Sequence, residues 1–190
     1  MFYCEEFQKA LDRSAHFDLA PPEGVSEAPG RLMNHERIAQ LQRVLAPVYE
    51  GIVSYEQMVG QCMPLHLKAR PVLEEWLGCP VYYTLGWIDD GSAKGLHKFD
   101  DAMISNKLAN GHHDEAINIH AWLTLPTMEI IDLTLSTSIS ILQGLKGGEG
   151  GAIINKADEV TGFTYKPMLV GESFLSKIGI LQNVTWYELG

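Results

Sequence analysis

Cysteine, histidine and aspartate are the residue types that together perform acyl chemistry, and this chain carries them in that order at Cys62, His120 and Asp132. Cys62 follows Gly60-Gln61 and precedes an apolar-periodic run containing Leu65, Leu67, Leu73, Trp76 and Leu77, which predicts a helix starting around Cys62 or Met63 and stopped by Gly78. Unpaired N–H groups and a partial positive charge at a helix start favour thiolate over thiol. A thiolate attacks acyl carbons, and the same N–H groups, that of Cys62 included, can hold the oxyanion that forms. Such a nucleophile needs an imidazole partner, and the imidazole needs an orienting carboxylate.

His120 and Asp132 qualify if a hairpin brings them to one face. Ile117, Ile119, Ala121, Leu123 and Leu125 alternate with Asn118, His120, Trp122 and Thr124, a period-2 strand, and Glu129 to Leu135 predicts its antiparallel partner. A two-residue turn at Pro126-Thr127 would pair His120 with Leu133 and send Asp132 to the opposite side. A three-residue connection pairs Leu125 with Glu129 and Trp122 with Asp132, which makes His120 and Asp132 diagonal neighbours. The turn lacks the Asn-Gly or Gly-x signature of two-residue hairpins, so the longer connection is expected.

Each feature also has a plainer reading. A lone cysteine is most often a small buried hydrophobe, which is the default for Cys79, and Cys4 is assigned nothing. His120 alone suits a satisfied sheet position, and Asp132 suits a strand end. Trp122 is either a wall of the site or a core aromatic; Gln61 or Gln57 is a candidate second oxyanion donor or an exposed glutamine. His112-His113-Asp114-Glu115, with His97 and His120, offers metal-ligand types, but the spacing matches no standard zinc pattern. Gly147 to Gly151 lacks the strand context and the lysine of a phosphate loop, and reads as a flexible linker.

The elements that must position these residues are read from punctuation and periodicity. Residues 1–19 suit a short amphipathic helix, and Pro21 to Gly30 a connector. Asn34 caps a helix carrying Ile38, Leu41, Val44, Leu45 and Val48 that ends near Gly51, and Ser54 with Gln57 matches a capping box. Pro71 should kink the helix of Cys62. Val81 to Ile88 is a strand, Phe99 to Ala109 a helix in a polar excursion, and weaker strands fall near Ile153, Phe163–Tyr165, Met168–Val170 and Val184–Tyr187. One domain is expected over 1–190, with a helical extension at 1–50, a core at 54–135 and strands and loops at 136–190.

Composition bounds the class. The 14 basic residues are scattered singly against 24 acidic ones, a formal charge of −10, so nucleic acid is excluded as a partner. Three cysteines make no disulfide framework, and neither an export signal nor a membrane-spanning run is found, so a cytoplasmic setting is expected.

Gly60-Gln61-Cys62 opening a helix, with Leu77-Gly78-Cys79-Pro80-Val81 running into Leu85-Gly86-Trp87, resembles the nucleophile segment of transglutaminase-like cysteine enzymes. His120-Ala121-Trp122-Leu123 and Ile131-Asp132-Leu133-Thr134 resemble the His and Asp segments of that superfamily, over roughly residues 60–135. The resemblance implies a papain-like α+β core, a cysteine-bearing helix packed on an antiparallel sheet. It also implies thiol-mediated transfer or hydrolysis at the bond of a peptide, protein or small amide, without a cofactor or metal. Met63 stands where an aromatic often follows the cysteine. Two rivals to a Cys62 enzyme are a noncatalytic protein-binding module on the same fold and a metal-dependent hydrolase built on the His112/His113 region.

Overall fold

A computed structural model describes residues 2–114 and 117–181. In chain order its helices and strands are α1 (Tyr3–His16), α2 (His35–Val44), α3 (Cys62–Leu77), β1 (Tyr82–Asp89), α4 (Asp101–Asn110), β2 (His120–Thr124), β3 (Glu129–Asp132), α5 (Leu135–Gln143), β4 (Ile153–Lys156), β5 (Thr164–Val170) and α6 (Ser173–Lys177). The described residues form an α+β fold of six α-helices and a five-stranded antiparallel sheet in the order β4-β3-β2-β1-β5. No helix among the described residues is long and apolar enough to cross a membrane.

Strand alternation divides the core between two faces of the sheet. Ala121, Leu123 and Ile131 pack with Leu65, Ala69 and Leu73 of α3. Trp122 and Ile130 pack with Tyr3, Phe7 and Leu11 of α1 on the other side. The N-terminal segment is stitched to the sheet by polar contacts as well. The hydroxyls of Tyr3 and Thr124 lie 2.8 Å apart. The buried Glu129 carboxylate accepts hydrogen bonds from the N–H groups of Leu32 and Met33 and from the Thr127 hydroxyl. Arg70 and Glu172 form a two-pronged ion pair between α3 and the start of α6.

The β2–β3 hairpin has the three-residue connection. Leu123 pairs with Ile131 and Thr124 with Ile130, Leu125 N–H donates to Glu129 O, and Met128 takes φ 59° to close the turn. A two-residue turn would have needed residues that accept positive φ at its centre, which Pro126 cannot.

Elsewhere the elements depart from the sequence reading in definite ways. The second strand stops at Asp132, and Leu135 begins α5, because Asp132 Oδ1 accepts the N–H groups of Thr134 and Leu135 and turns the backbone out of the ladder. Phe163–Tyr165 and Met168–Val170 belong largely to one strand, β5, with Pro167 inside it; β5 is a sheet edge, where a missing donor is tolerated. Pro47 falls in a separate 3-10 turn, Ala46–Tyr49, that follows α2. The Ser54–Gln57 pair is displaced from a capping box: Gln57 Oε1 accepts the N–H of Val53 beside a 3-10 turn, and Ser54 makes no side-chain cap. α3 runs from Cys62 to Leu77 as one helix with Pro71 inside it, on the exposed side. The Gly147–Gly151 loop is tied down by the hydroxyls of Ser136, Ser140 and Thr137. The strand expected at Val184–Tyr187 lies outside the described residues.

Gly86 marks the tightest point of the sheet. It pairs with His120 on one side, and a Cβ there would lie 2.2 Å from Lys166 O and 2.4 Å from the Trp122 ring. Both are fixed groups, so Gly86→Ala is expected to destabilise the fold by at least about 1–3 kcal/mol, the range for overpacking. A urea melt checks this: an unchanged midpoint would contradict the packing.

Candidate active site

The three sequence-selected residues arrive from three elements. Cys62 is the first residue of α3, with Gln61 as N-cap; Gln61 is exposed and makes no side-chain cap. Pro64 occupies the first turn without an N–H, which by helix geometry leaves Cys62 and Met63 as its terminal donors. His120 opens β2 and Asp132 ends β3, and the register puts both on the face of Trp122 and Ile130. Cys62 belongs to the helix on the other face, so the three meet at the end of the sheet rather than over it. The Cys62 thiol lies 3.8 Å from the carbonyl oxygen of Ile119, the residue before His120.

His120 Nε2 is 2.5 Å from Asp132 Oδ2, with both side chains buried. The remaining capacity of the carboxylate is filled by the N–H and hydroxyl of Thr134, the N–H of Leu135 and the hydroxyl of Tyr165 at 3.0 Å. Burial alone would neutralise both partners. For His120 the opposing influences prevail: the Asp132 charge and hydrogen bond, followed by a hydrogen bond and charge interaction with Cys62, push it up to about 10. For Asp132 burial raises the carboxyl, but the His120 charge and hydrogen bond, with His66 and the Thr134 N–H, hold it well below the usual range. The resting pair is therefore imidazolium and carboxylate. With Nε2 committed to Asp132, Nδ1 is the nitrogen left to exchange a proton with the thiol.

His66, which the sequence reading passed over, joins these elements. It is fully buried one helical turn after Cys62. Leu133 N–H donates to its Nε2 at 2.9 Å, so the proton sits on Nδ1 and is donated to Cys62 O at 2.6 Å. Burial, against the pull of Asp132, pushes His66 down to about 4, which keeps it neutral. The i, i+4 spacing of Cys62 and His66 is a sequence signal for a shared helix face. Tyr165 had no such signal, since its partner is more than thirty positions away in sequence.

Trp122 is fully buried, lies against the His120 ring at a centroid distance of 5.9 Å, and donates from Nε1 to the Tyr3 hydroxyl. It is thus a core aromatic that also walls the imidazole. Gln57 is exposed and bonded within its own turn. Cys79 and Cys4 are partly exposed, and burial raises both thiols. In the His112 region, His112 Nδ1 and Asp114 both face Lys107 Nζ, and His113 Nε2 contacts Asn110 O. No group of metal-ligating side chains assembles among the described residues, and Glu115 lies outside them. A groove of about 830 Å³ lies between α2, the following 3-10 turns and β4, with Leu133 in its wall but neither Cys62 nor His120. Tyr49, also in that wall, has its phenol pushed up to about 12 by burial and by the Asp132 charge.

The two histidines act oppositely on stability. His120 is raised in the folded chain, so its contribution is full below 6.5 and is lost as pH rises from 6.5 through about 10. His66 is lowered, so its contribution is full above 6.5 and is lost as pH falls from 6.5 through about 4. Urea midpoints are expected to peak near pH 6.5, with slopes of up to about 1.4 kcal/mol per pH unit. His120→Gln should flatten the alkaline limb and spare the acid one; an alkaline limb unchanged in that variant would contradict the assignment. Family models, curated proteins and solved structures give no match to this chain, so the reading of the site rests on its own residues.

Proposed function

We propose that the chain is a cysteine-dependent enzyme acting at amide or peptide bonds, built on a papain-like, transglutaminase-like core. The observation that carries this reading is the His120 imidazolium, held by a buried carboxylate and raised further by its interaction with Cys62, the first residue of a helix. A purely structural histidine does not require that its ionic partner and a thiol converge on one ring. The arrangement of a cysteine-first helix packed on an antiparallel sheet, whose adjacent strands carry the His and the Asp, supports the core assignment.

In the reaction, the Cys62 thiolate attacks the acyl carbon and a C–S bond forms. The oxyanion is met by the N–H of Cys62 and, as second donor, by the exposed Gln61 side chain. His120 gives its proton to the leaving amine as the C–N bond breaks. Water or a second amine then attacks the thioester, His120 takes its proton, and the thiolate is released as the new acyl product departs. Asp132 orients the imidazole and stays ionised throughout.

Cys62 is only 8% exposed, whereas Cys4 and Cys79 are both more accessible. Alkylation by iodoacetamide near neutral pH, followed by peptide mass spectrometry, is nevertheless expected to modify Cys62 first. His120→Gln should slow that modification, and lower any amidase activity, by about 10²–10⁴-fold, the usual worth of a positioned acid–base group. Cys62 reacting no faster than Cys4, or at the same rate in the His120→Gln chain, would overturn the proposal.

A further inference from the structure

His97 takes no part in the proton transfer proposed above, yet it is the outer neighbour of the histidine that does. Its ring stacks on His120 with centroids 5.8 Å apart and planes 20° apart, opposite in sequence origin to Trp122, whose ring stacks on His120 at 5.9 Å. Trp122 comes from β2 and is buried, whereas His97 comes from the loop after β1 and is exposed. His120 itself retains only 3% exposure.

The loop is built to hold that ring in place. Leu96 and Ile88 exchange both backbone hydrogen bonds, at 2.9 and 2.8 Å. Gly95, at φ 59°, presses on the Trp87 ring so closely that a Cβ would lie 2.8 Å from it. Lys98 Nζ sits 5.0 Å over the same ring, and its carbonyl accepts from Asn118. Between these anchors His97 adopts φ 60°, a left-handed conformation uncommon outside glycine. A strained residue that its neighbours on both sides over-determine, placed against a reactive group, is where strain tends to serve function.

We propose that His97 is a positioning residue for His120: a neutral imidazole cover that shields the His120–Asp132 ion pair from water, and that lifts when it takes up a proton. The proposal rests on the acyl-transfer reading for its purpose, though not for its measurement. Water admitted to a buried ion pair raises the local dielectric and weakens it, so losing the cover should return His120 toward ordinary histidine behaviour. The groups that face His97 are His120 of β2, Asp132 of β3 and Asn118 before β2; on its own loop, Lys98 is directed to Trp87. Burial of the ring face and then the His120 charge hold His97 below the ordinary histidine value, Asn118 and Asp132 opposing them. It is therefore neutral at neutral pH, and a proton added in acid sets two like charges against each other across the stack.

The test is ¹⁵N NMR titration of the imidazoles in the full chain, as wild type, His97→Asn and His97→Phe. Asparagine tolerates the left-handed backbone but removes the ring, and phenylalanine keeps an aromatic cover without a titrating proton. His97→Asn is expected to lower the His120 midpoint by about one pH unit, a tenfold change in its protonation equilibrium. His97→Phe should leave it in place. An unmoved midpoint in His97→Asn, or equal shifts in both variants, would overturn the proposal. In the unmutated chain, the His120 ring N–H should exchange slowly with water while His97 is neutral and rapidly once His97 is protonated. Exchange that ignores the His97 titration would also overturn it. Both readouts follow His120 directly, so they fail or succeed separately from the reactivity of Cys62.

Discussion

A carboxylate removed from water must have its lone pairs met from within the protein, and the way Asp132 meets that demand organises much of this structure. One oxygen takes the N–H groups that turn the chain from β3 into α5, and the other takes His120 and Tyr165. A single side chain thereby ends a strand, starts a helix and fixes an imidazole. Leaving any of these donors unpaired would strand a buried charge, which costs several kcal/mol. The segments that supply them are consequently bound to one another.

The neighbourhood of Asp132 is asymmetric by design of its two histidines. His120 receives the charge and makes the short contact. His66 lies 3.7 Å from the other oxygen and stays neutral because burial outweighs the pull of that charge, while Leu133 N–H donates to its Nε2. Two imidazoles beside one carboxylate thus have opposite protonation states: His120 makes the short contact with the charge, whereas for His66, farther from it, burial prevails. The neutral one anchors the first turn of α3 to the strand end, and so holds the distance between the elements that carry Cys62 and Asp132. On the far side, Tyr3 orients Trp122, and Trp122 backs the His120 ring. The N-terminal helix therefore reaches the site through two side chains without touching the thiol.

The site also explains features that look like defects when read one at a time. Gly86 is a glycine within a strand because the Trp122 ring and the β5 backbone close over it, on the residue that pairs with His120. Met128 accepts a positive φ because the three-residue turn is the one that sets the His120–Asp132 diagonal. In both places local propensity yields to register, since a one-residue slip would send Asp132 to the other face.

The order Cys62, His120, Asp132, the helix start at Cys62, the alternation through β2 and the absence of a two-residue turn signal were all local, and local patterns are what a sequence displays. They were enough to choose the register that brings His120 and Asp132 together. The early end of β3 was not legible, because it depends on what the Asp132 side chain bonds to rather than on the apolar run of Leu133 and Leu135. His66 was half-visible through its helical spacing from Cys62, but its role depends on Leu133, sixty-seven residues later. Tyr165 had no signal, and His97 was legible only as a metal-ligand type named with the His112 region: each approaches from a distant strand or loop a residue with which it shares no periodicity. Spacing along one element determines which side chains can share a face. Which groups close around them, and hence which proton each imidazole keeps, is decided only when separate elements pack and exclude water.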